Sequence, residues 1–335
     1  MTIWGDDVYS NVTCDCSFVN KTVCHVTHMY ALTLFSFKVF VIVHLWQFAT
    51  GVLPHAPFLH LSLRDGEGGS KSTNQMKGFN LTGILPAEFA NLTYLKELDL
   101  TRNYIYGSIP PIFGQLPLIT LSLLGNRING IIPNELGDIS TLEELILEDN
   151  QLEGNIPQNL GSLRNLRRLL LSANSFNGTI PETFSNLKNL TDFRIDGTRI
   201  TGKIPDLIGN WTKLHRLDMQ GTSMEGPIPS TISQLKNLTQ LRISDLSGPT
   251  INFPNLQNLT AMEELTLRNC SIDGPIPEYI GDLKSLKTID LSFNMLNGQI
   301  PNKLQGLSRL VFLFLSHNYL SEDVPGWILD SNENM

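Results

Sequence analysis

From Leu95 onward the chain repeats one arrangement of apolar and polar positions, L-x-x-L-x-L-x-x-N-x-L-x-G-x-I-P. It opens at Leu95, Leu118, Leu142, Leu166, Leu190, Leu214, Leu238, Met262, Leu286 and Leu310. The spacing is 23 residues once and 24 thereafter. Each unit predicts a short strand. In the third unit Leu142, Leu145 and Leu147 face inward and Glu144, Ile146 and Glu148 outward, because side chains of an extended segment alternate. Asn103, Asn126, Asn150, Asn174, Asn294 and Asn318 stand where the chain turns inward, and their amides are expected to satisfy backbone groups that would otherwise be buried unpaired. Gly107, Gly130, Gly154, Gly178, Gly202, Gly226, Gly274 and Gly298 permit a tight bend, and the proline closing the motif fixes φ and brings no donor to satisfy. One coil cannot shield its own leucines, so neighbours must stack and both ends need caps.

The period falls in the 20 to 29 residues of leucine-rich repeats and below that of helical repeats. The expected fold is therefore an α/β-type repeat, a leucine-rich-repeat solenoid, right-handed and curved. Its concave face carries a parallel β-sheet and its convex face short 3-10 or irregular segments. Ten strands about 4.8 Å apart would give an arc of roughly 45 Å, long enough to lie along a peptide, a glycan or a protein face. That geometry suits binding better than chemistry. The Gly-rich loop, strand lysine, H-R-D and D-F-G that phosphoryl transfer requires are all missing from the sequence, so no enzymatic activity and no cofactor are expected of this chain. Residues 66–73, G-E-G-G-S-K-S-T, echo a phosphate loop but carry Ser70 in place of the glycine before Lys71, and read as a linker.

The motif running from Asn150 to Pro157 resembles the plant-specific leucine-rich repeats of receptor-like kinase ectodomains. The stretches T-C-D-C-S-F (13–18), V-C-H-V-T (23–27), G-F-N-L-T-G (78–83), L-E-D-N-Q-L-E-G (147–154) and R-L-D-M-Q-G-T-S-M-E-G-P-I-P-S (216–230) resemble the subgroup with a malectin-like domain after the repeats. The likeness covers residues 11–28 and 74–330. It implies a single-pass plasma-membrane receptor with an intracellular serine/threonine kinase, those later parts lying outside this sequence. It further implies an extracellular repeat domain that binds a peptide, a cell-wall glycan or a co-receptor protein. The alternative is a secreted repeat protein that inhibits a pathogen's cell-wall enzyme.

Composition narrows the partners. A net charge of -8, with 24 scattered Lys and Arg among 335 residues, argues against nucleic acid, which needs a basic stripe. Cys14, Cys16 and Cys24 are disulfide candidates, but three cannot all pair with one another, so either one stays free or a partner lies upstream. Four segments are expected: 1–28 as the remnant of a cysteine cap, 29–73 as an atypical hydrophobic insert and Gly/Ser linker, 74–326 as the repeats, and 327–335 as a tail leading to a further domain. Residues 31–49 are long enough for a membrane span, weakened by Lys38, His44 and Gln47. The insert reads either as spurious sequence or as a membrane anchor, so membrane association would come through parts outside this chain or through residues 31–49.

Sequons stand at Asn11, Asn20, Asn80, Asn91, Asn177, Asn189, Asn210, Asn237, Asn258 and Asn269. They suggest the secretory route, although the repeat itself tends to write N-L-T between coils. Coils opening at Leu190, Leu214, Leu238 and Met262 replace the inward Asn by Thr198, Thr222, Leu246 and Cys270, and the Leu238 coil also loses I-P. On the outward positions of these coils stand Arg194, Asp196, Asp218, Gln220, Arg242, Asp245 and Arg268, the candidate ligand-binding residues, with Gly197 and Gly221 leaving room for approach. The competing reading is that Arg194, Asp218 and Arg242 merely pair across adjacent strands. Cys270 is expected to be a buried small filler. The seven histidines show no ligand spacing, so no metal site is expected. Phe293, Phe312, Phe314 and His317 would end the concave face as an aromatic surface, serving either a ligand or a following domain.

Overall fold

The computed structural model describes residues 8–15, 25–33, 77–321 and 324–330, and divides into two units, Met1–Leu163 and Arg164–Met335. Both are built from the same coil. An inward-facing strand leads to a turn, then to a second short strand on the opposite side, then to a 3-10 turn that returns to the next coil.

In the first unit the inward strands Glu97–Asp99, Thr120–Ser122 and Glu144–Ile146 run parallel, with Glu97 opposite Thr120 and Thr120 opposite Glu144. An antiparallel hairpin, Val8–Asp15 with His25–Thr33, precedes them and joins in parallel where His28 lies opposite Glu97. The strand His25–Thr33 thus runs across the boundary expected at residue 28, because the ladder extends five residues beyond it. Cys16, Cys24, the side chain of Cys14 and residues 34–76 lie outside the described residues, and with them the pairing of the disulfide candidates and nearly all of the proposed span 31–49. Among the described residues no helix is long and apolar enough to cross a membrane.

The second unit stacks Arg168–Leu170, Asp192–Arg194, Arg216–Met219, Gln240–Ser244, Glu264–Arg268, Thr288–Asp290 and Phe312–Phe314 in one parallel register, each 24 residues beyond the last. The equal spacing puts equivalent side chains in columns, and this regularity is what can build an extended site.

The core explains why the coil closes as it does. Leu118, Leu142, Leu166, Leu190, Leu214, Leu238, Met262 and Leu286 are fully buried, as the shared-leucine argument requires. Phe184, Phe193 and Trp211 thicken the second unit's core, with Phe193 and Trp211 centroids 4.9 Å apart. The indole N–H of Trp211 donates to the Phe184 carbonyl at 3.0 Å, so this large ring leaves no polar atom stranded. Every 3-10 turn from Ala87–Asn91 to Asn302–Gly306 starts after a proline, extended in all but Pro301; it is the proline of I-P in all but the first, where Pro86 follows Leu85. The coil that lacks I-P has no such turn. There the Tyr279 hydroxyl donates to the Pro254 carbonyl at 2.7 Å and accepts from the Leu256 N–H at 3.1 Å, holding the irregular segment with a side chain instead.

The inward asparagines do what their position demands. Asn294 accepts from the N–H of Cys270 and Ile272 at 3.0 and 3.1 Å and donates to the carbonyls of Leu267, Leu291 and Ser292. Asn126, Asn150 and Asn318 repeat the pattern within their own units. The glycines of the second bend adopt φ between +69° and +91°, with one exception: Gly226 keeps an ordinary φ and is followed directly by Pro227.

Candidate functional site

The outward side chains of the second unit's strands form the candidate face. Two columns come from the strands themselves: Asp192, Arg216, Gln240 and Glu264 in one, Arg194, Asp218, Arg242 and Thr266 in the next. Asp196, Gln220, Ser244 and Arg268 follow two residues on, and Gly197, Gly221, Asp245 and Asn269 sit in the turn after them.

Three arginines at the centre of this face are held by carboxylates. Arg194 grips Asp192 of its own strand through Nε at 2.8 Å and Nη2 at 2.6 Å. Arg216 grips Asp218 the same way, placing both nitrogens on Oδ2. Arg242 reaches across to Glu264 with two bonds of 2.8 and 2.6 Å, while its Nη1 lies 3.7 Å from Asp218 Oδ2. Of the expected pairing of Arg194, Asp218 and Arg242 across the sheet, the Asp218–Arg242 contact is present at 3.7 Å, while the short bonds go to two-residue neighbours and to Glu264. Residues two apart on a strand share a face, so the shorter route wins. Asp192, Arg216 and Glu264 were not among the candidate residues. The two-residue period of the strand, read together with the 24-residue repeat, is the signal that locates them.

Asp218 is the buried member. It is 2% exposed, and its Oδ1 has no hydrogen-bond donor. Burial pushes its carboxyl above the ordinary value of 3.8, outweighing the opposite pull of Arg216 and Arg242. The Gln240 Oε1, on the adjacent strand, is likewise buried without a donor.

The turn after the strand is left-handed in every regular coil. Arg102, Asp149, Ala173, Asp245, Asn269, Phe293 and His317 have φ between +51° and +60° there, and Gly125, Gly197 and Gly221 occupy the same place. Gly197 and Gly221 are exposed, and a Cβ at Gly221 would meet nothing nearer than the Gly197 nitrogen at 4.0 Å. The two glycines do leave a gap. Its sides are Asp196, which accepts from the Ser172 hydroxyl at 2.6 Å, Gln220, and exposed Asp245, which accepts from Ser244 at 2.7 Å and Asn269 at 2.8 Å.

Beyond the gap the face turns aromatic. The Arg268 guanidinium lies over the Phe293 ring at 4.2 Å, and Phe293 stacks on His317 at 4.1 Å with planes 9° apart. Phe312 and Phe314 lie 6.2 Å apart and nearly parallel, 55% and 49% exposed. The four rings thus form two stacked pairs near the end of the second unit.

Cys270 is buried, and its thiol donates to the carbonyls of Ile243 and Arg268, the places that Asn294 serves one coil later through Leu267 and Ser292. It is more than an apolar filler, because it keeps part of the asparagine's bonding. Thr198 and Thr222 each keep one bond, to Ile195 and Met219. Of the sequons, Asn91, Asn177, Asn210, Asn237, Asn258 and Asn269 are exposed, and Asn80 and Asn189 partly so. Asn189 and Asn237 donate to the carbonyls of Arg164 and Thr212, and Thr191 and Thr239 donate to those of Arg167 and His215, so this sequon has structural work in the coil. Asn20 and the side chain of Asn11 lie outside the described residues. Among the described residues no cluster of potential metal ligands occurs.

Family models described as leucine-rich repeat match residues 260–320 and, separately, 94–116, 141–163 and 165–187. A probable leucine-rich-repeat receptor-like serine/threonine-protein kinase of Arabidopsis thaliana is 51% identical over 98 residues, 29% of this chain and 10% of the relative. A second such Arabidopsis protein is 50% identical over 120 residues, 36% of this chain and 7% of the relative. The chain therefore spans a tenth or less of these relatives. Among solved structures, the Arabidopsis receptor kinase HAESA, in complex with the peptide hormone IDA and the co-receptor SERK1, superposes with a TM-score of 0.69 at 36% identity. That match covers 73% of this chain and 41% of the receptor chain. A plant ice-binding protein superposes at 0.60 with 30% identity, covering 72% of this chain and 78% of that one. By repeat and by fold the chain is a leucine-rich-repeat solenoid similar to the ectodomains of plant receptor kinases.

Proposed function

We propose that this chain is the ligand- or co-receptor-binding extracellular part of a plant receptor-like kinase, working in cell-surface signalling at the outer face of the plasma membrane. One observation carries the reading. In the coils from Leu190 to Met262 the inward positions keep the repeat's apolar pattern, while the outward columns change chemistry at every strand. A face that packed nothing and read nothing would have no need of such variety. Solved receptors of similar fold include complexes with peptide hormones, which supports a peptide or protein partner; a cell-wall glycan remains within the same proposal. The motifs of residues 13–27 and 216–230 support the finer assignment to the subgroup with a malectin-like domain.

The side chains that remain available to a partner are Asp196, Gln220, Asp245 and Arg268, since Arg194, Asp218 and Arg242 are engaged with one another's neighbours. A Gln220→Trp substitution would fill the gap over Gly197 and Gly221 without forcing a bulky residue to positive φ. Surface plasmon resonance of the secreted chain against a plant extracellular peptide fraction, comparing wild type with Gln220→Trp, tests the site. Binding should fall at least about tenfold in the variant. Equal binding by both would remove the central face from consideration.

A further inference from the structure

We propose, building on the peptide-binding reading above, that the group recognised at the centre of this face is a cation. A lysine or arginine side chain, or a free amino terminus, of an extended peptide would be received over Gly197 and Gly221 between Asp196, Gln220 and Asp245. The argument is a balance of donors and acceptors. Three of the guanidinium groups that could hold an anion at the centre of the face are already committed: Arg194 to Asp192, Arg216 to Asp218 and Arg242 to Glu264, each through two bonds of 2.6 to 2.8 Å. A carboxylate arriving here would have to break a charge-assisted pair to gain one, with little net return. Two buried acceptors of this face, by contrast, lack a donor. Asp218, 2% exposed, leaves Oδ1 with no donor, and Gln240 leaves Oε1 likewise on the next strand. A buried acceptor without a donor is costly, and the cost falls when a donor or a positive charge comes near.

The gap is placed to admit one. The Gly197 N–H donates to the Gln220 carbonyl at 2.8 Å and the Gly221 N–H to the Ser244 hydroxyl at 3.1 Å, so both glycine amides are spent inward and offer nothing to an anion. What projects around them is Asp196, the amide of Gln220 and exposed Asp245. Asp196 also lies near enough to Asp218 to raise its energy when charged, so a cation here would be drawn by both carboxylates. Arg268, farther along this face, is turned aside onto Phe293 and bonds the Ser292 hydroxyl at 3.1 Å.

The test uses fluorescein-labelled random hexapeptide pools, each with one position fixed as Arg, Lys, citrulline, Asp or Leu, read by polarisation against the whole secreted chain at low salt. The Arg and Lys pools should bind at least about tenfold more tightly than the citrulline and Asp pools. Changing Asp196→Asn together with Asp245→Asn should bring the Arg pool down to the citrulline level with an unchanged melting temperature. An Asp or Leu pool that binds best and is lost in Gln220→Trp would overturn the cation while leaving the peptide site standing. An Arg preference that survives in the doubly neutralised variant would overturn it as well. If no pool binds wild type above Gln220→Trp, the peptide reading itself fails and this inference with it.

Discussion

At the scale of single residues, the recurring turn sets two opposing demands, a left-handed backbone and an inward polar group. Gly197 meets the first without strain at φ +65°. Gly197→Ala should lower stability by about 1 kcal/mol in denaturant titration, because the added Cβ has space but not the conformation. Asn294 meets the second demand, and Asn294→Ala should cost about 2–4 kcal/mol, since it strands N–H and C=O groups of two coils; a midpoint within error of wild type would contradict this. Cys270 stands at the equivalent place one coil earlier, with its thiol pushed up to about 12, chiefly by burial. It should therefore resist iodoacetamide at pH 8 in the native protein and label fully in guanidinium, as followed by intact mass.

At the scale of the strand, the charged columns behave as a network. Arg216 holds Asp218 in a nearly water-free position, so Arg216→Ala should destabilise by about 2–3 kcal/mol by leaving a buried carboxylate with only the longer Arg242 contact at 3.7 Å. Adding Asp218→Asn should recover most of that loss, and a double-mutant cycle with no coupling would refute the pairing. The pH dependence has a definite sign. The folded state holds the Asp218 proton more tightly than the unfolded chain, so its contribution is greatest below 3.8 and is lost as pH rises through the raised native value. Thermal melts of wild type and Asp218→Asn should diverge over that interval, with the wild type losing relative stability as the acid ionises. Much of this layer escaped the linear sequence. Arg194, Asp218 and Arg242 could be placed on one face by counting, but which acid each arginine would choose depends on side-chain reach and register. Asp192, Arg216 and Glu264 entered only when the strands were aligned.

At the scale of the whole chain, the 24-residue period and the leucine columns announced the solenoid, and the asparagine, glycine and proline positions announced how each coil closes. The same fold serves a plant ice-binding protein, so the architecture by itself names no ligand, and the recognition argument has to rest on the outward side chains. Exposure of Asn91, Asn177, Asn210 and Asn258 makes them available for glycosylation. Treating the secreted chain with an endoglycosidase should raise its mobility on a gel, and an unshifted band would remove the secretory-route expectation. What the sequence alone determined is whatever depends on period: which leucines are shared, where each coil turns, and which positions point outward. Tertiary structure alone decided the exchange of partners among the charged columns and the burial of Asp218. Those features depend on side-chain reach and on distances between neighbouring coils, whose residues lie some two dozen apart along the chain and meet only when the coils stack.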